Sequence, residues 1–255
     1  MCLILFSYQN HARFPLILLA NRDEMYSRPT QALHWWGEKH AILAGKDEQE
    51  GGTWLGISKT GRFAALTNFR ETGQRSGSKS RGHLTTAFLS GNQSPQHFLR
   101  DVESSHQLYN GFNLLVGDKS GLYYYSNREH QIRKLEAGFY GLSNHLLNTP
   151  WPKVTTGVKA LKSLTIQDPQ PNPDSFLSIL KNAHIPADSQ LPNTGVGLSA
   201  ERMLSPLFIK SKVYGTRASS LVLLDQHSKL TFIEKRFGEE GAELGESTFS
   251  FRMDN

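Results

Sequence analysis

The residue best suited to chemistry stands second in the chain: Cys2 is the single cysteine of the sequence and directly follows Met1. A small residue at that position is normally unmasked by methionine removal, and a freed Cys2 would carry thiol and α-amine on one residue. Reference pKa values are about 8.5 for the thiol and about 7.7–8.0 for the amine, so the amine can take the thiol proton near neutral pH. One residue then supplies both nucleophile and base. From position alone, the alternative is a small buried hydrophobe opening a strand. Four polar residues, Asn21-Arg22-Asp23-Glu24, come directly after the apolar run Leu16–Ala20, where a strand would leave the core. An arginine there favours a neighbouring thiolate, and a carboxylate holds or orients the terminal amine. The plainer reading is a solvated turn with a local ion pair.

Two asparagines sit in comparable places. Asn68 closes Ala64-Ala65-Leu66-Thr67 and by alternation shares the face of Ala64 and Leu66; Asn144 closes Gly141-Leu142-Ser143 just ahead of Thr149-Pro150-Trp151-Pro152. An amide donor at either position would stabilise the oxyanion of a tetrahedral intermediate, a role worth about 3 kcal/mol per donor in acyl transfer. Each is equally a strand-terminating asparagine. The Gly/Ser-rich basic stretch from Arg70 to Arg81 suits an anionic ligand at the mouth of a site, or is a solvated loop. Arg217, two residues after Gly215, would hold a carboxylate or phosphate, or form a surface ion pair. The ten histidines show no metal-ligand spacing, so neither a metal nor another cofactor is expected.

These residues need elements to position them. Cys2–Ser7 and Phe14–Ala20 are apolar on both alternating faces and predict two buried strands. Segments 54–57 and 62–68 flank Lys59-Thr60-Gly61, and 114–117 and 122–126 flank Asp118-Lys119-Ser120-Gly121, which predicts two hairpins. Between the hairpins, Leu84, Ala87 and Phe88 have helical spacing, and Ser94-Pro95 reads as an N-cap followed by the first helical residue. Val154, Val158 and Leu161 predict a third helix, and Asn172-Pro173 opens a fourth around Phe176, Ile179 and Leu180. Strands are expected again at 219–224 and 230–237, while Asp168–Asp174 reads as a loop. Tyr123-Tyr124-Tyr125 fits a strand covered on both faces better than a base-stacking platform. Strands and helices come in blocks, which argues for α+β with mainly antiparallel sheets.

Composition narrows the function classes. At 255 residues, one domain spanning 1–255 is the default, and 38% hydrophobic with 20% charged residues excludes fibre and disorder. The net charge of +5 is scattered along the chain, so nucleic acid is not expected as a partner. The apolar runs are far shorter than the roughly 20 residues of a membrane helix, so no transmembrane span is expected. Met1-Cys2-Leu3-Ile4 lacks the basic start of a secretory signal, and one cysteine suits a reducing compartment, which points to the cytoplasm. Oligomeric state is not legible at this level.

Several blocks in order carry a resemblance over nearly the whole chain: Cys2, Ala20-Asn21-Arg22-Asp23-Glu24, Gly51-Gly52-Thr53-Trp54-Leu55-Gly56, Thr67-Asn68, Ser80-Arg81-Gly82, Phe112-Asn113-Leu114-Leu115 and Tyr214-Gly215-Thr216-Arg217. Together they resemble the NRDE-motif family related to transport and Golgi organisation protein 2, which in turn is similar to the cysteine N-terminal-nucleophile hydrolases. The resemblance implies a four-layer αββα sandwich of antiparallel sheets with Cys2 at the head of the first strand. It implies catalytic places for Cys2, Arg22, Asp23, Asn68 and Asn144, and ligand contacts for Asn21, Glu24, Arg81 and Arg217. The hydrolases space their arginine and aspartate three apart, whereas Arg22 and Asp23 are adjacent, so both reach Cys2 only where the strand ends or bulges. The implied function is the handling of a small ligand, haem or an acyl compound such as acyl-CoA, in trafficking and homeostasis. The alternative is a hydrolase or acyltransferase that attacks a non-peptide amide through Cys2.

Overall fold

The computed structural model describes residues 2–37, 42–73, 77–168 and 171–254. In chain order the elements are β1 (Cys2–Tyr8), β2 (Leu16–Met25), β3 (Thr30–Trp36), β4 (Ile42–Asp47), β5 (Leu55–Ser58), β6 (Phe63–Asn68), α1 (Gly82–Ser90) and α2 (Pro95–Ser104). They continue with β7 (Phe112–Asp118), β8 (Gly121–Ser126), β9 (Arg133–Lys134), β10 (Gly138–Leu142), α3 (Pro152–Gln167), α4 (Pro173–Leu180), α5 (Leu198–Leu204), β11 (Tyr214–Leu224), β12 (Lys229–Phe237) and β13 (Glu243–Arg252). Every strand pairing is antiparallel, as the blocks of the sequence lead one to expect.

The chain divides into two compact units, each built on one sheet. The first unit comprises residues 1–27, 136–143 and 147–252, and its six-stranded sheet runs β10-β1-β2-β11-β12-β13. One face carries Leu3, Leu5, Leu19 and Leu221, all fully buried against Leu161 of α3 and Phe176 of α4. Burying a side chain of this size is worth about 1.5–3 kcal/mol, so this face is the main source of the unit's stability. Contact between α3 and β1 is close enough that a Cβ on Gly157 would lie 2.5 Å from Leu5 Cδ1.

The second unit comprises residues 28–135, 144–146 and 253–255, with a seven-stranded sheet in the order β3-β4-β5-β6-β7-β8-β9. Its core joins Ala64 and Leu66 of β6 and Leu114 of β7 to Leu84 and Phe88 of α1 and Leu99 of α2. Ser94 caps α2 by accepting from the His97 amide at 3.3 Å, with Pro95 as the first helical residue. Asn172 does the same for α4 in the first unit, accepting from Ser175 N at 2.8 Å.

Two of the sequence blocks meet in the second unit. Gly52 lies against the backbone of Gly82, where a Cβ would come 2.6 Å from the Gly82 carbonyl carbon. Thr85 Oγ1 donates to the Thr53 carbonyl, and a ring nitrogen of His83 lies 2.7 Å from the Glu50 carbonyl. The Gly51-Gly52-Thr53 and Arg81-Gly82 blocks therefore form a backbone joint between the approach to β5 and the start of α1.

Two expectations change. Asn21-Arg22-Asp23-Glu24 is neither a turn nor a strand end: β2 continues unbroken to Met25, and Asn21, Arg22 and Asp23 are all buried. The strand persists because β11 supplies pairing partners along its whole length, from Leu224↔Leu16 to Tyr214↔Met25. Strands β3, β4, β9, β10 and β13 and helix α5 carried no recognised pattern, β13 because its residues are largely polar and exposed. Among the described residues, no helix is long and apolar enough to cross a membrane.

Candidate functional site

Cys2 heads β1 and stands directly opposite Arg22 of β2, which is opposite Ala218 of β11, which is opposite Arg236 of β12. Side chains directly opposite one another in an antiparallel sheet share a face, so the row Cys2, Arg22, Ala218, Arg236 projects to one side. Leu3, Asn21 and Ser219 project to the other side, toward α3 and α4. Ser143 Oγ donates to the Cys2 carbonyl at 3.2 Å and fixes the backbone at the head of the strand. Only 8% of Cys2 is exposed, and burial pushes its thiol up to about 11, with Asp23 and Glu24 adding to the rise and Arg22 opposing it. Met1, on whose removal a free amine depends, lies outside the described residues.

The four polar residues of β2 separate by alternation. Arg22 and Glu24 lie on the Cys2 face, with Arg22 Nη2 3.9 Å from Glu24 Oε2. Asn21 faces the helices, where its amide donates to the carbonyls of Leu180 at 3.0 Å and Leu207 at 2.7 Å and accepts from Ser219 Oγ at 2.7 Å. That amide is fully buried and ties β2 to the end of α4, away from the face of Cys2. Asp23 is on Asn21's side of the strand and accepts from Thr216 Oγ1 at 2.7 Å, while the same hydroxyl accepts from Ile209 N at 2.9 Å. The bulge expected near Arg22 and Asp23 occurs in the neighbouring strand: Thr216 pairs with Asp23 and Ala218 with Arg22, leaving Arg217 as the extra residue. Arg217 Nη1 donates to the Met25 carbonyl at 3.3 Å.

The second unit holds the two asparagines together. Asn144 Nδ2 donates to the Asn68 carbonyl at 2.9 Å, and the Arg70 amide donates to the Asn144 carbonyl at 2.7 Å. Beside them Asn113 donates to Thr67 Oγ1 and to the His145 carbonyl, both at 3.0 Å, and accepts from Tyr124 Oη at 2.8 Å. His145 packs on Phe69 with ring centroids 4.8 Å apart, and burial lowers its pKa. The basic stretch is pinned near its ends: Glu71 pairs with Arg128, and Arg81 Nη1 donates to the Gly111 carbonyl at 3.1 Å. Residues 74–76 of that stretch lie outside the described residues.

Sequence reasoning quoted Ser143 beside Asn144 and Thr216 beside Arg217 without giving either its partner, Cys2 or Asp23, and it missed Arg236 altogether. Arg236 has a buried Nε and no ion pair or side-chain hydrogen bond among the described residues. Alternation along β12 gives its face, but only the register across β11 aligns it with Arg22. Among the described residues no group of three or more His, Cys, Asp and Glu is arranged to hold a metal.

The α+β fold with two antiparallel sheets is of the N-terminal-nucleophile hydrolase type. The structure is similar to that of a Caenorhabditis elegans N-acylethanolamine-hydrolyzing acid amidase ortholog, with a TM-score of 0.51 and 13% identity over 80% of this chain and 98% of that one. At that identity the likeness establishes the fold alone. The chain belongs to the Transport and Golgi organisation 2 family, whose sequence model matches residues 1–239. The Transport and Golgi organization protein 2 homologs of Bos taurus and Homo sapiens are 34% and 35% identical to it, each over 99% of both chains. The Drosophila melanogaster Transport and Golgi organization protein 2 is 26% identical over 92% of both.

Proposed function

We propose that this chain binds a small acyl-containing or haem-like ligand on a hydrolase-type scaffold and serves haem or acyl-lipid trafficking and homeostasis in the cytoplasm. The observation that carries this reading is the row of side chains on the Cys2 face, Cys2, Arg22, Ala218 and Arg236. The Cys2 thiol is buried in that row, and burial raises its pKa, which disfavours the thiolate. The same face offers cations in its place. Arg22 and Arg236 share one row, and the Arg236 guanidinium, which makes no ion pair among the described residues, suits a carboxylate or phosphate, the charged groups of haem propionates, fatty acids and acyl-CoA.

The test is a titration with hemin and with palmitoyl-CoA, followed by quenching of tryptophan fluorescence. Saturable binding of at least one is expected, unchanged in Cys2→Ala and weakened roughly tenfold in Arg236→Ala. Binding of neither ligand, or equal affinity in wild type and Arg236→Ala, overturns the reading.

A second reading, an N-terminal-cysteine amide hydrolase or acyltransferase, is favoured by the direct opposition of Cys2 and Arg22. In that reaction the freed α-amine takes the thiol proton and sulfur bonds to the acyl carbon. The C–N bond then breaks as the proton passes to the leaving amine, and water or another acceptor releases the acyl group. It requires Met1 to be removed, which intact-mass measurement reads directly. A burst of acylation from an activated amide, lost in Cys2→Ala, would establish it.

A further inference from the structure

Strand β13 closes the six-stranded sheet at one edge, where β12 is its sole neighbour in the sheet order. It lies beyond residues 1–239, which the family's sequence model matches. A ten-residue edge strand presents backbone donors and acceptors to any strand of matching register. Its first part is irregular: the pairing with β12 shifts between Arg236 and Phe237, leaving Leu244 as an extra residue, and Gly245 has φ +138°. From Glu246 to Arg252 the register with β12 is regular.

Charge singles out the occupant. Arg252 stands directly opposite Lys229 of β12; both are exposed, and neither makes an ion pair among the described residues. Like charges directly opposite on one face are destabilising, and a carboxylate arriving from the open edge would relieve them. The strand itself carries that carboxylate six residues earlier. Glu246 is on the same face as Arg252, 3.5 Å from Lys235 Nζ and accepting from Thr248 Oγ1 at 3.1 Å, and a carboxylate accepts more bonds than these two.

We infer that the chain forms a two-fold dimer by antiparallel pairing of β13 with β13 of a second copy, centred on Phe249. This register sets Glu246 of each copy opposite Arg252 of the other, twice by symmetry. It sets Thr248 opposite Ser250, a hydroxyl pair of the kind antiparallel sheets favour, and Phe249 opposite its own counterpart. The pairing uses the regular part of the strand, stops short of Gly245, and doubles the six-stranded sheet.

Analytical ultracentrifugation of the full chain over a concentration series tests the dimer, one copy having a mass of 28.6 kDa. The mass should rise toward twice that value with concentration. Glu246→Arg and Arg252→Glu should each weaken the dimer by about tenfold or more, and the double variant, with charges exchanged, should recover to within about threefold of wild type. Hydrogen exchange on the unaltered protein gives an independent readout, because the amides of residues 246–252 should gain protection as concentration rises. A monomer at every soluble concentration, a dimer indifferent to the single reversals, a double variant that does not recover, or unchanged protection in β13 would each overturn the inference.

Discussion

Asn21 begins the polar run of β2, and its work is structural. Its three hydrogen bonds are made in a site with no solvent access, so removing the amide leaves two carbonyls and a hydroxyl short of a partner. Asn21→Ala should lower unfolding stability by about 3 kcal/mol, measured as a shift of the urea midpoint with unchanged slope. Arg22, one residue on, is opposite Cys2 and serves the other face. The run is thus two pairs interleaved, Asn21 with Asp23 and Arg22 with Glu24. Their residue types were legible in the sequence, and so was the rule that neighbours alternate. What was not legible is that the strand continues through them, because four polar residues in succession look like a turn until their partners on α4, β11 and the segment around Leu207 are known.

At the level of elements, the helices and hairpins with strong local signals appear where the sequence places them. Ser94-Pro95 and Asn172-Pro173 both cap helices, because a cap is a contact between near neighbours and needs no distant partner. Strand β13 is the opposite case: Glu243–Arg252 alternates faintly and buries little, so the sheet it completes is the only clue to it. Gly157 in α3 shows how distant packing reverses a local preference. Alanine would gain up to about 1 kcal/mol of helix propensity over glycine. Here its Cβ would stand 2.5 Å from Leu5 Cδ1 and 2.9 Å from Leu5 Cδ2 in a fully buried core. Gly157→Ala should therefore destabilise the protein by about 1–3 kcal/mol, and adding Leu5→Val should recover part of the loss in the same unfolding measurement.

For the whole molecule, the Cys2 thiol links folding to pH. In the unfolded chain it ionises near 9.0, and in the folded chain near 11. Between those values the unfolded state binds fewer protons, so stability is fully present below pH 9.0 and falls as pH rises toward 11. Urea unfolding measured on either side of pH 9.0 should show this decline, with a smaller slope in Cys2→Ala. A decline of equal slope in the variant would mean that the buried thiol is not its source.

The bulge in β11 has a consequence for how this sheet tolerates change. One supernumerary residue, Arg217, stands between Thr216 opposite Asp23 and Ala218 opposite Arg22. Deleting it would make Thr216 and Ala218 consecutive members of a regular ladder with both pairings kept, so Thr216 would stay with Asp23 and the Ile209 amide would keep its acceptor. The opposite change is the disruptive one. If the strand slipped so that Arg217 itself paired with Asp23, then Tyr214, Gly215 and Thr216 would all pass to the other face of the sheet. The bulge thus lets the strand carry one residue more than its partner without turning any side chain over.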